Sequence, residues 1–101
     1  MNRACLCLCH DGADGEALRS RHLEAHLAYI ESIMDSVRVA GAMRDAEGRI
    51  IGSCLIYAAD NEAAALELLH GDPYYIGGVW EQVECRTMML AAGTWIGGKS
   101  W

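Results

Sequence analysis

The sequence predicts an α+β fold with one four-stranded antiparallel sheet, two helices on one of its faces, and the order βαββαβ. Three observations predict it. Short apolar or alternating segments fall at 3–10, 36–43, 50–59 and 79–90. Two stretches between them carry apolar residues at helical spacing, and Gly, Asp, Asn or Pro marks the junctions.

The first segment, "ACLCLCH", is apolar or small on both sides, which predicts a buried central strand, and Asp11-Gly12-Ala13-Asp14-Gly15 stops it. Asp14 or Gly15 starts a helix, with Glu16 favourably placed in its first turn. At about 100° per residue, Leu23, Leu27, Ile30 and Met34 form one row, and Leu18, His22, His26, Tyr29 and Ile33 form the next. Together they predict one wide buried stripe, with both histidines along its border. "SVRVAGAM" (36–43) and "IIGSCLIYAA" (50–59) are β-rich, and "RDAEGR" places a glycine between them, so strands two and three form a hairpin. Asp60 is the expected N-cap of "NEAAALELLH", a second helix with Ala64, Ala65, Leu68 and Leu69 on its apolar face. Pro73 then forces Asp72 out of helical geometry, Gly77-Gly78 turn the chain, and 79–90 is the last strand.

This order is the ferredoxin-like, split-βαβ layout. It leaves one sheet face bare, and a bare apolar face is a dimerisation surface, so two sheets packed face to face predict a dimeric α/β barrel. With 101 residues and no internal repeat the chain is read as a single domain, 1–101, with a core at 3–91 and a Gly- and Trp-containing tail at 92–101. The tail's Trp95 and Trp101 are expected to anchor the surface, to dock across the dimer, or to join dimers into a higher oligomer.

A net charge of −6 and pI ≈ 5.0 supply no source of phosphate neutralisation, which argues against nucleic acid or an anionic membrane as partner. The start of the sequence lacks the continuous apolar segment of a signal peptide, and no stretch is long enough to span a bilayer. The expected location is cytoplasmic, with all five cysteines as reduced thiols. Cys5, Cys7 and Cys9 share one strand face about 6.6 Å apart, too far for a relaxed disulfide between neighbours, and are read with Cys54 and Cys85 as small packing residues.

His22 and His26 stand four apart on a helix, a spacing that can offer two metal ligands. The stretch is HxExH and not HExxH, however: Glu24 lies about 200° round the helix from His22. A third ligand would have to come from Asp72, His70 or a cysteine far off in sequence. The expectation is therefore no metal and no cofactor. Border positions of a core, satisfied by carboxylates or water, are the alternative for both histidines.

"AHLAYI" (25–30), "VAGAM" (39–43), "GRIIGSCLIY" (48–57), "DPYYIGGVW" (72–80) and "CRTMML" (85–90), in that order, resemble the YciI-like (YCII-related) family over roughly residues 3 to 91. The resemblance implies a dimeric ferredoxin-like fold and an active site pairing a helix-one histidine with the aspartate of the DP motif, here His26 and Asp72. A carboxylate that accepts one imidazole N–H fixes tautomer and orientation and leaves the other nitrogen free to move a proton. Such a pair suits proton abstraction, elimination or isomerisation of a small molecule. His22, Tyr74, Tyr75 and Trp80 are the expected substrate contacts. The competing expectation is a noncatalytic dimeric module that binds a small ligand or serves a neighbouring enzyme, with the polar pair a structural hydrogen bond.

Overall fold

The first and third strands run through the middle of the sheet, as expected of segments that are apolar or small on both faces. In the computed structural model, which describes residues 3–101, β1 (Arg3–Asp11) pairs antiparallel with both β3 (Ile50–Tyr57) and β4 (Trp80–Met89), and β2 (Val37–Arg44) extends the sheet beyond β3. The order is β2-β3-β1-β4, the ferredoxin-like arrangement. Asp45 shapes the β2–β3 turn by accepting from the backbone N–H of Glu47 and Arg49, and Gly48 takes the positive φ, 84°, that closes it.

Odd-numbered β1 residues face the helices. Cys5, Cys7 and Cys9 join Leu55, Tyr57, Ala65, Leu69 and Val79 in the buried core, against which Leu18, Ile30 and Ile33 of the first helical segment pack. Fully burying a side chain such as Leu55 or Leu69 contributes about 1.5–3 kcal/mol. The opposite face has no helix over it: half-buried Leu6, Leu8, Cys54 and Ile56 form its apolar centre, bordered by exposed Gln82, Glu84 and Arg86 of β4.

The helices are α1 (Gly15–Ser32), α2 (Glu62–His70) and a single turn, α3 (Pro73–Ile76). The N-cap of α2 is Asn61 and not Asp60: the Asn61 side chain accepts from the Ala64 N–H at 2.8 Å, and Asp60 lies one residue too early to reach the first turn. The wide buried stripe predicted for α1 is buried on one side only. Leu23, Leu27 and Met34 are 46%, 55% and 55% exposed, because α1 leans toward α3 and leaves the β2–β3 half of the sheet uncovered. The expectation of five reduced thiols is corrected too. Cys7 and Cys85 form a disulfide between β1 and β4, where register sets them directly opposite at a Cα–Cα distance of 4.2 Å. Neighbours along one strand cannot bridge, but cross-strand partners can. Cys5, Cys9 and Cys54 are free.

After β4 the tail folds into a small hairpin, β5 (Ala92–Gly93) and β6 (Gly98–Lys99), which carries Trp95 and Trp101 at 82% and 74% exposure. No helix among the described residues is long and apolar enough to cross a membrane.

Candidate active site

The site begins with the turn that follows α2. Gly71 permits close packing there, since a Cβ would come within 2.6 Å of the Tyr29 hydroxyl oxygen. Tyr29 donates that hydroxyl to the carbonyl of Leu68, tying α1 to the end of α2. Asp72 follows in extended geometry, φ −72° and ψ 127°, as the residue before a proline must, and Pro73 opens α3 at the position where its missing N–H costs nothing. The Asp72 side chain caps this turn by accepting from the Tyr74 N–H at 2.9 Å.

The same carboxylate oxygen, Oδ1, accepts from Nδ1 of His26 on α1 at 2.7 Å. Asp72 is fully buried and the His26 side chain is 15% exposed. Since a carboxylate only accepts, Nδ1 carries the proton in this contact and Nε2 takes no part in it. Tyr74 fixes the imidazole from a second direction: its ring stacks on His26 with centroids 3.8 Å apart and planes within 3°. Trp80 closes the back of the pair edge-on, at 6.5 Å from His26 and 5.8 Å from Tyr74. An imidazole held by a carboxylate and a ring cannot turn away without losing both contacts.

In front of His26 lies a cleft of about 430 Å³ between α1 and the uncovered half of the sheet. Its wall is apolar, made by Leu23, Leu27, Ile30, Ile50 and Leu55, and its polar end is made by Arg19, Ser53, His26 and Tyr74. This composition fits a small, partly apolar organic molecule held by a few polar groups.

Arg19, Asp11 and Ser53 escaped the sequence reading. Arg19 donates from Nε and Nη2 to the two carboxylate oxygens of Asp11 at 2.7 and 2.9 Å, and from Nη2 to the Ser53 hydroxyl at 2.8 Å. Its guanidinium carbon is 5.2 Å from the centroid of Tyr74. Burial works against its charge, but the hydrogen bonds and charge of Asp11 outweigh that and hold the guanidinium above its usual value. Gly15 makes room for Asp11, since a Cβ there would meet the Asp11 side chain at 2.8 Å. The available signal was an arginine seven residues before His26, two helical turns along the same face.

The remaining expected contacts are placed as follows. His22 packs on Gly77, where a Cβ would stand 2.5 Å from its ring, and is not part of the cleft wall. Tyr75 is 39% exposed and tilts against His70 at 4.6 Å. Trp80 is buried behind the pair, and Tyr74 both supports His26 and lines the cleft. Among the described residues no three His, Cys, Asp or Glu side chains group as metal ligands.

The buried core under the pair keeps its thiol and phenol groups protonated at neutral pH. Burial, followed by the charge of Asp72, pushes the Cys9 thiol up to about 12 and raises the Tyr57 phenol as well. Neither is an available nucleophile. The Tyr74 phenol is also raised by burial, with Arg19 acting in the opposite direction. The Tyr57 hydroxyl, the Trp80 indole N–H and Oδ2 of Asp72 are buried without a hydrogen-bond partner among the described residues.

Among solved structures the fold is similar to 5-chloro-2-hydroxyhydroquinone dehydrochlorinase from Burkholderia phenoliruptrix AC1100, in complex with 2,5-dihydroxybenzoquinone, at a TM-score of 0.73 and 22% identity over 90% of this chain and 96% of that one. It is also similar, at a TM-score of 0.51 in each case, to a NIPSNAP domain protein of Burkholderia xenovorans (18% identity, 89% and 95% coverage) and to a dimeric ferredoxin-like protein of Bacteroides fragilis (8% identity, 89% and 98% coverage). No curated protein sequence matches the chain. The family model of the YCII-related domain matches residues 4–89, and on that match the chain belongs to the YCII-related domain family.

Proposed function

We propose that the protein is a small-molecule lyase or isomerase in which His26 moves a proton through Nε2 and Asp72 orients it. The observation that carries this reading is the 2.7 Å contact between Nδ1 of His26 and a fully buried carboxylate, at the polar end of an apolar cleft. A proton passes from an acidic O–H or C–H of the substrate to Nε2, and the bonding pair moves into the substrate's π system. In an elimination that pair becomes the new π bond and the departing group leaves with the pair of its own bond to carbon; in an isomerisation the proton returns at another carbon. Acid/base catalysis of this kind contributes typically about 10²- to 10⁴-fold. The name of the dehydrochlorinase that shares the fold supports a test on halogenated hydroxyaromatics first.

The protein is proposed to act as a homodimer joined through the bare sheet face, which the dimeric description of the B. fragilis neighbour supports. Sedimentation checks this, and a stable monomer at micromolar concentration removes it. The catalytic assignment is tested by turnover of 5-chloro-2-hydroxyhydroquinone, lactones and halo-enols by wild type, His26→Ala and Asp72→Asn. Loss of about 10²-fold or more in both variants supports it. No turnover by wild type, or variants that match wild type, leaves the second reading: a ligand-binding module in which Asp72 is retained as the cap of α3, a role its contact with the Tyr74 N–H already gives it.

A further inference from the structure

We infer that Arg19, the Tyr74 phenol and Ser53 form a subsite for a ring-borne hydroxyl or carbonyl oxygen of the ligand, one that becomes negative as a proton leaves for His26. The inference rests on the acid/base reading above and specifies the substrate class for it. Arg19 has five N–H donors: three are used on Asp11 and Ser53 and the guanidinium also hydrogen-bonds the Tyr74 side chain, which leaves one N–H for a further acceptor. The Ser53 oxygen accepts from Arg19 and keeps its own hydroxyl hydrogen to donate. The raised Tyr74 phenol holds its proton at neutral pH and is a third donor. These three residues and His26 meet at one end of the cleft.

Charge balance narrows the ligand. Arg19 and Asp11 are paired through two contacts, their side chains 13% and 7% exposed, and Asp72 adds a buried carboxylate behind His26, so the polar end has no surplus positive charge. A carboxylate or phosphate, whose localised charge is strongly hydrated before binding, gains little there, whereas a phenolic oxygen spreads its charge into the ring. An oxygen that starts neutral and gains charge in the reaction gains most, because the donors are already oriented and need no reorganisation. The apolar wall of Leu23, Leu27, Ile30 and Leu55 suits a planar ring. Tyr74 links the two functions, since its ring stacks on the imidazole at 3.8 Å between centroids and lies 5.2 Å from the guanidinium carbon. Phenols, hydroxyquinones and cyclic enols are the compounds that carry an acidic proton and such an oxygen on one ring.

The test is equilibrium binding of 4-nitrophenol across pH, followed by its phenolate absorbance, with nitrobenzene as the ring that lacks the oxygen. Wild type is expected to bind the phenolate in preference to nitrobenzene and to ionise bound nitrophenol at a lower pH than free nitrophenol. Arg19→Gln is expected to weaken phenolate binding roughly tenfold to a hundredfold, the scale of a lost hydrogen bond to charge, and to leave nitrobenzene unchanged. Tyr74→Phe keeps the stacked ring and the backbone cap, and is expected to lose a smaller part of the same preference. No saturable binding by wild type overturns the inference, as does a phenolate preference that survives in both variants, or equal losses for the two probes in Tyr74→Phe. Because binding is read without turnover, His26→Ala separates the two proposals: retained phenolate preference in that variant, together with unchanged catalysis, sinks the acid/base reading and keeps the subsite.

Discussion

The two adjacent rows of the first helix, one aliphatic and one carrying two histidines and a tyrosine, have different fates. The row through His22, His26 and Tyr29 is packed against the turn after α2 and against α3, where Gly71 and Gly77 let the rings approach the backbone. The row through Leu23 and Leu27 remains about half exposed and walls a cleft. Helical periodicity shows that a face is apolar; it does not say whether the face meets protein or ligand. That depends on what each face packs against, and here one face of α1 meets α3.

If this contrast is right, substitutions in the packed region cost stability and those in the open row cost binding. The largest stability loss is expected for Asp72→Ala, which removes the cap of α3 and the charged hydrogen bond to His26, for about 3 kcal/mol by chemical denaturation. A loss under about 1 kcal/mol would show that the turn is held by its neighbours alone. Gly77→Ala follows, at about 1–3 kcal/mol, because the new methyl meets the His22 ring. Adding His22→Ala should return part of that loss, and strict additivity would show that the two positions do not touch.

Beneath the packed row, Cys9 gives a smaller, pH-dependent effect. Its pKa is raised from 9.0 to about 12 in the fold, so the folded protein holds a proton that the unfolded chain releases. Stability is therefore full below the unfolded value, pH 9.0, and falls as pH rises toward about 12. Between about pH 8 and about pH 10 the loss should be about 1 kcal/mol, seen as a shift of the urea midpoint, and Cys9→Ala should flatten it. An unchanged slope would locate the alkaline sensitivity elsewhere, with the buried Tyr57 phenol next in line. The smallest stability change belongs to Leu27→Ser in the open row, within about 0.5 kcal/mol, while affinity for an aromatic ligand drops. A large destabilisation would mean that Leu27 is buried in the working assembly.

Much of the fold was legible because its signals are local. The strand alternation, the Gly48 turn and the Asp72-Pro73 break each depend on a few adjacent residues, and the structure has all three. The α2 cap was displaced by one residue, since Asp60 and Asn61 are both good caps and only the backbone chooses between them. The Cys7–Cys85 bridge joins residues 78 apart and depends on strand register, which composition does not encode. For the site, the family motif pointed to His26 and Asp72, which lie in contact. Arg19 was invisible for a physical reason: on a helix an arginine reads as solvated until its partner is known, and Asp11 stands in a stretch whose Asp and Gly residues read as a turn.

The Asp-Pro-Tyr turn is a compact module. Its proline presets the backbone, its aspartate closes the turn, and its tyrosine supplies both the N–H that aims the carboxylate and the ring that levels the imidazole. Three consecutive residues thus specify most of the geometry around a histidine borne on a separate helix. Grafted under a helix of suitable pitch in an unrelated scaffold, the tripeptide should recreate the pair without the sheet that carries it here.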